Sequence, residues 1–186
     1  MDLMFQPLKR YFDFQGRSRR SEYWLWVLFK IILGALLLAL SSLFVGGSGI
    51  SHIAGIGIVV LLRVLVFFIL LIPDIAVSVR RMHDIDRTGW WILFPALITL
   101  IVSVIYFAVR GSEFLAEMQA LRDLSQMSDP QILVSALLAL MVPLMWVVIP
   151  TLLAKIVTLV FRCTDGTPGP NRFGRDPKGR GEAGVF

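Results

Sequence analysis

The sequence predicts an all-α integral membrane protein with four transmembrane helices, both termini in the cytoplasm and a short amphipathic N-terminal helix. Three observations predict it. First, 56% of the 186 residues are hydrophobic and only 17% are charged. Second, the apolar residues gather in four runs long enough to cross a bilayer, about 20 residues each. Helix is the default for each, because in lipid every backbone polar group needs an internal partner. Third, thirteen lysines and arginines lie in the N-terminal segment, the middle loop and the C-terminal tail, whereas the two alternate loops hold only Arg110 and Arg122. Such asymmetry places the basic segments in the cytoplasm.

The elements follow in order. In the cytoplasmic segment 1–22, Phe5, Leu8 and Phe12 recur at helical spacing beside Lys9 and Arg10. That pattern suits a helix lying on an anionic leaflet. The first apolar run starts only at Tyr23, after five basic residues, and is too long for the apolar core of a cleavable signal. Ser18 is positioned to cap it. The membrane domain 23–161 holds spans at about 23–45, 53–79, 90–109 and 132–161. Pro143 and Pro150 should kink the fourth, since each removes a backbone donor. Between Arg110 and Gln131, the expectation is either a separate surface helix from Ser112 to about Gln126, with Phe114, Leu115, Met118 and Leu121 on one face interrupted by Glu117 and Arg122, or a solvated helical loop. The tail 162–186 contains six glycines and three prolines after Arg162, which makes it loop.

The stretch Arg80-Arg81-Met82-His83-Asp84-Ile85-Asp86-Arg87-Thr88-Gly89-Trp90-Trp91 lies between two spans and so belongs at a membrane surface. Trp90 and Trp91 fit an interfacial belt. Asp84 is expected to cap the turn, and Gly89 to supply a backbone conformation that other residues resist. Arg63, Asp74 and Arg81 share one helical stripe. Asp74 needs a partner or a proton within its span, and Lys155, on a stripe with Thr151, Thr158 and Arg162, is the expected partner. Lys30 can reach the interface unaided. Arg63, deep in its span, should turn toward Glu113 or Glu117 or face a water-filled cavity.

These residues define a candidate cytoplasmic-side polar cluster of Asp74, Arg80, Arg81, His83, Asp84 and Lys155, covered by the tail. Arginine forks suit phosphate oxygens, and basic pockets on this side of the membrane take lipid headgroups. The competing reading is structural: Arg80 and Arg81 set orientation, while Asp74 and Lys155 hold helices together. His83 and Asp84 point about 100° apart on a helix, which suits no shared metal. A single cysteine, Cys163, excludes an intrachain disulfide and a multi-cysteine metal site. No cofactor is implied, and no basic surface is left to track nucleic acid.

Three segments together resemble a known family. Phe14-Gln15-Gly16-Arg17-Ser18-Arg19-Arg20-Ser21-Glu22-Tyr23-Trp24 is similar to the F-x-G-R-x-x-R-x-E-F/Y-W opening of the DUF805 family of small bacterial inner-membrane proteins. Arg80 to Trp91 resembles its R-R-x-H-D-x-x-x-x-G-W-W block. Gly166-Thr167-Pro168-Gly169-Pro170-Asn171-Arg172-Phe173-Gly174-Arg175-Asp176-Pro177 resembles its G-T-x-G-x-N-x-F/Y-G-x-D-P ending. The resemblance implies a multi-pass inner-membrane protein of unknown activity, with Gly16, Arg17, Gly89, Trp90, Asn171 and Gly174 among its motif positions. The 110–131 segment departs from it, being longer than the usual link.

Two functions compete. The first is a non-enzymatic protein that binds an anionic lipid headgroup or a protein partner at the polar cluster. The second is a small transporter or channel subunit using Arg63, Asp74 and Lys155. It requires a homo-oligomer, for which Gly34, Ser41 and Ser42 offer close helix contact. An enzyme acting through His83 is not expected, because no nucleophile accompanies it.

Overall fold

The structure, a computed structural model, describes residues 2–43, 50–124 and 130–180. Its helices are α1 (Asp2–Lys9), α2 (Arg20–Ser42), α3 (Ile50–Asp84), α4 (Phe94–Leu124) and α5 (Pro130–Cys163), with a short 3-10 helix over Gly89–Leu93 before α4. Among the described residues there is no strand, only an isolated antiparallel bridge between Asn171 and Gly174 in the tail. Four stretches are long and apolar enough to cross a membrane: Arg20–Ser42, Ile53–Asp84, Gly89–Ala116 and Met145–Cys163.

The chain divides into two compact units, Met1–Ile92 with Arg162–Phe186, and Leu93–Phe161. In the first, α1, α2 and α3 pack against one another around buried Tyr23, Trp26 and Val77, with Leu8, Val27, Phe29 and Leu70 against them. Phe5 meets Phe29 edge to face at 5.5 Å. The apolar positions expected to face lipid from α1 are thus partly turned onto α2, and α1 ends before Phe12. Lipid tails are as apolar as leucine, so this packing rests on close contact and hydrogen bonds rather than on escape from water. One such bond repairs a proline: Pro73 cannot donate to the Ile69 carbonyl four residues before it, and the Tyr11 hydroxyl donates there at 2.6 Å.

In the second unit, α4 and α5 are joined by the Thr99 and Thr151 hydroxyls, 2.9 Å apart. One expectation fails here. The separate helix at Ser112 does not exist, because α4 runs unbroken to Leu124. Residues 113–121 are mostly strong helix formers, and an Arg110–Glu113 ion pair bridges the expected break. The α5 helix runs through both Pro143 and Pro150.

Two more corrections concern helix ends. Ser18 does not cap α2. The cap position is Arg19, without a side-chain bond, and the buried Ser18 hydroxyl has no partner among the described residues. Its amide donates instead to the Arg80 carbonyl at 3.1 Å, which fixes the chain one residue ahead of the cap. At the end of α3, the residue with positive φ is Asp86, at 56°, not Gly89. The Arg87 and Asp86 amides return to the Met82 and His83 carbonyls, closing the helix in the pattern usual for a left-handed residue after its last turn. Aspartate tolerates that conformation better than most residues. Gly89 answers a different need, since a Cβ there would stand 2.8 Å from the Val79 side chain.

Candidate functional site

Because α3 continues past the expected end at Val79 as far as Asp84, Arg80, Arg81 and Asp84 lie on its final turns, all buried. A carboxylate at a helix C-terminus opposes the helix dipole, so Asp84 needs cations, and it has two. Arg81 Nη1 donates to Oδ2 at 2.5 Å, and Arg17 Nε donates to Oδ1 at 3.1 Å. The side chains of Arg17, Arg81 and Asp84 are at most 2% exposed.

The remaining donors of these arginines go to main-chain carbonyls of distant segments. Arg17 reaches Gly169 and Thr167, each at 2.6 Å. Arg81 reaches Arg162 at 3.2 Å and also Thr164. Arg80 donates to the Asp13 carbonyl and, at 3.2 Å, to Glu22. Among the three arginines, only Arg80 Nε lacks an acceptor. The tail closes from its own side. The Thr167 amide donates to the Asp84 carbonyl at 2.9 Å, and Asn171 donates to the His83 carbonyl at 2.9 Å. A Cβ on Gly166 would lie 2.2 Å from the Asp84 carboxylate, so the backbone passes where only glycine fits. His83 donates from Nδ1 to the Gly16 carbonyl at 3.1 Å and stacks flat on Phe173, 3.9 Å between ring centres. A carbonyl can only accept, so Nδ1 carries a proton, which in the neutral ring leaves Nε2 as the acceptor nitrogen.

The candidate residues therefore separate. Arg80, Arg81, His83 and Asp84 meet, joined by Gly16, Arg17 and Asn171. Asp74 lies ten residues earlier on α3, in a second polar site. It accepts from the Trp26 indole at 3.0 Å and is ion-paired with Lys30, the lysine to which the sequence reading gave no role, and not with Lys155. Lys155 is exposed on α5 in the other unit. Arg63 turns to α2, where Nη2 donates to the Leu37 carbonyl and the Ser41 hydroxyl, each at 3.0 Å. Glu113 pairs with Arg110, and the Glu117 side chain lies outside the described residues. Lys30, Gly34 and Leu37 of α2 and Arg63, Phe67 and Asp74 of α3 line a slot of about 290 Å³. Trp90 is 77% exposed, and Arg87 lies over the Trp91 ring at 5.0 Å. Among the described residues no group of three or more His, Cys, Asp or Glu could hold a metal ion.

The three segments that meet in this clasp are those whose spacing resembled a family, and a comparison with family descriptions agrees: "Protein of unknown function (DUF805)" matches residues 11–175. The chain belongs to the DUF805 family. Inner membrane protein YhaH of Escherichia coli K12 is 31% identical over 182 residues, covering 96% of this chain and 98% of that protein. Inner membrane protein YhaI of the same strain is 29% identical over 178 residues, covering 96% and 97%. No solved structure matches. This DUF805 protein is thus a multi-pass protein of the bacterial inner membrane.

The tail of the DUF805 protein carries its own electrostatic lock. Burial pushes the Asp176 carboxyl up, but the Arg180 hydrogen bond, the Lys178 amide and the charges of Arg180 and Arg17 outweigh it and hold the group at about 2, below the ordinary 3.8. Because the folded value is the lower one, the ionised carboxylate stabilises the docked tail at any pH above 3.8, and the contribution fades only as pH falls toward about 2. Amide exchange at Thr167 should therefore stay slow through the ordinary carboxylate range and quicken near the lower value. In Arg180→Ala the quickening should move up toward 3.8; an unmoved midpoint would contradict the lock.

Proposed function

We propose that this DUF805 protein is a non-enzymatic binding protein, oriented with both termini in the cytoplasm, whose cap of three motif segments engages anionic lipid headgroups of the inner leaflet. The observation that carries this reading is an uncompensated charge. Segments 9–22, 80–88 and 162–180 hold thirteen arginines and lysines against six carboxylates. All six carboxylates are already ion-paired: Asp13, Glu22, Asp84, Asp86, Asp165 and Asp176. An excess of seven positive charges remains beside a membrane. The buried Arg17, Arg80 and Arg81 are bonded to the chain itself, so they shape the cap. The lipid meets the exposed rim of Arg19, Arg172, Arg175 and Lys178, where Arg172 and Lys178 are shared with Asp86 and Asp165 and the net excess is what the leaflet meets. Each basic residue near an anionic leaflet contributes about 1 kcal/mol.

Cys163, the only cysteine and exposed, offers a probe position. An environment-sensitive dye there should change emission when phosphatidylglycerol is added to phosphatidylethanolamine bilayers, and revert at high salt. The Arg172→Ala/Arg175→Ala/Lys178→Ala variant should lose most of the response, three charges at about 1 kcal/mol each. Identical emission in the two bilayers would overturn the reading.

A further inference from the structure

The slot between α2 and α3 is independent of the cap. Among the described residues Arg63 bonds two neutral oxygens there, both through Nη2. Among the described residues no carboxylate pairs with it, and Asp74, on the same wall, is engaged by Lys30 and Trp26. A guanidinium facing lipid without a counter-charge is costly, and its planar fork fits phosphate oxygens. The depth is also suited to phosphate. Leu37 and Ser41 belong to the closing turns of α2, which ends at Ser42, so the guanidinium lies beside that end of the helix and not at its middle. From there the slot runs along apolar walls to the Lys30–Asp74 pair. Positions 63 and 74 are separated by about 16 Å of helix rise, close to one leaflet, about 15 Å of hydrocarbon. Gly34 keeps the slot open, with no atom within 4 Å of where its Cβ would lie.

We propose that this slot holds one phospholipid of the leaflet at the Ser42 end of α2, its phosphate on Arg63 and one acyl chain lying past Gly34 and Phe67 toward Lys30. The lipid supplies the anion that Arg63 lacks and fills the space that Gly34 leaves. Gly34 is a specificity element of the site, because a larger residue there occupies the volume of the chain.

Native mass spectrometry of the intact protein in mild detergent, titrated with phosphatidylglycerol, tests this. The titration is made in the Arg172→Ala/Arg175→Ala/Lys178→Ala background, so that lipid on the cap rim does not enter the count. One lipid should bind that background and its Gly57→Leu derivative, Gly57 being a helical glycine outside the slot that also has no atom within 4 Å. Arg63→Leu and Gly34→Leu should each weaken it about tenfold or more, the effect of losing charged hydrogen bonds or the chain's place. Undiminished binding in Gly34→Leu overturns the proposal. So does displacement of the lipid by excess inorganic phosphate, which would make the slot a site for small anions.

Discussion

Asp84→Ala is expected to destabilise the protein by about 3–5 kcal/mol, the cost of leaving buried charges without their partner. Arg81 would lose its carboxylate and Arg17 its nearer one, Asp176 standing 3.9 Å away, while both remain buried, and the two cations that hold the tail's carbonyls would lose the group that positions them. Thermal unfolding in detergent, followed by circular dichroism, measures the loss. The double variant Asp84→Ala/Arg81→Ala should be less damaging than the sum of the two single changes, because one unpaired charge is removed with its partner. A loss below about 1 kcal/mol, the range of a surface pair, would mean that the clasp opens to water and is not the core of the cap.

Asp74→Leu is the second large effect. It leaves the Lys30 ammonium in the slot without its counter-ion and the Trp26 indole N–H without its acceptor. A lysine at membrane depth costs about 2.5–3.5 kcal/mol, and the unmet indole adds to it. Combining Asp74→Leu with Lys30→Met should recover most of the stability, since an apolar pair of similar volume replaces a half-buried ion pair within the spans at little cost. If the double variant is as unstable as Asp74→Leu alone, the pair contributes through something other than charge balance.

The spans were legible because their signal is redundant: twenty or so apolar residues can be misplaced by a few positions and still be found. The short elements were not. The Ser112 helix failed because a serine inside a run of good helix formers marks a start only if the preceding helix has ended, and nothing ended it. Asp86 was overlooked because glycine three residues on was the more obvious candidate for a left-handed backbone. Within the site, the meeting of Arg17, Arg80, Arg81 and Asp84 follows the motif blocks, but the acceptors are main-chain carbonyls of Arg162, Thr164, Thr167 and Gly169, and a carbonyl has no letter in a sequence. Lys30 was dismissed for the sound reason that it can reach the interface; helical periodicity within one span cannot reveal that Asp74 on its neighbour faces it.

Residues 17, 84 and 167 are drawn to one point, yet the ribosome makes them far apart in time. Arg17 and Arg81 emerge early, and their acceptors at 162–169 come last, after the fourth span. Until then Arg17 and Arg81 have Asp84 but not the carbonyls that fill their remaining donors, and a chain truncated before Arg162 never supplies them. A span that failed to insert would leave the tail on the wrong side of the membrane, unable to reach Asp84. The clasp therefore closes only in a chain made through Gly169, with its tail on the same side of the membrane as Asp84.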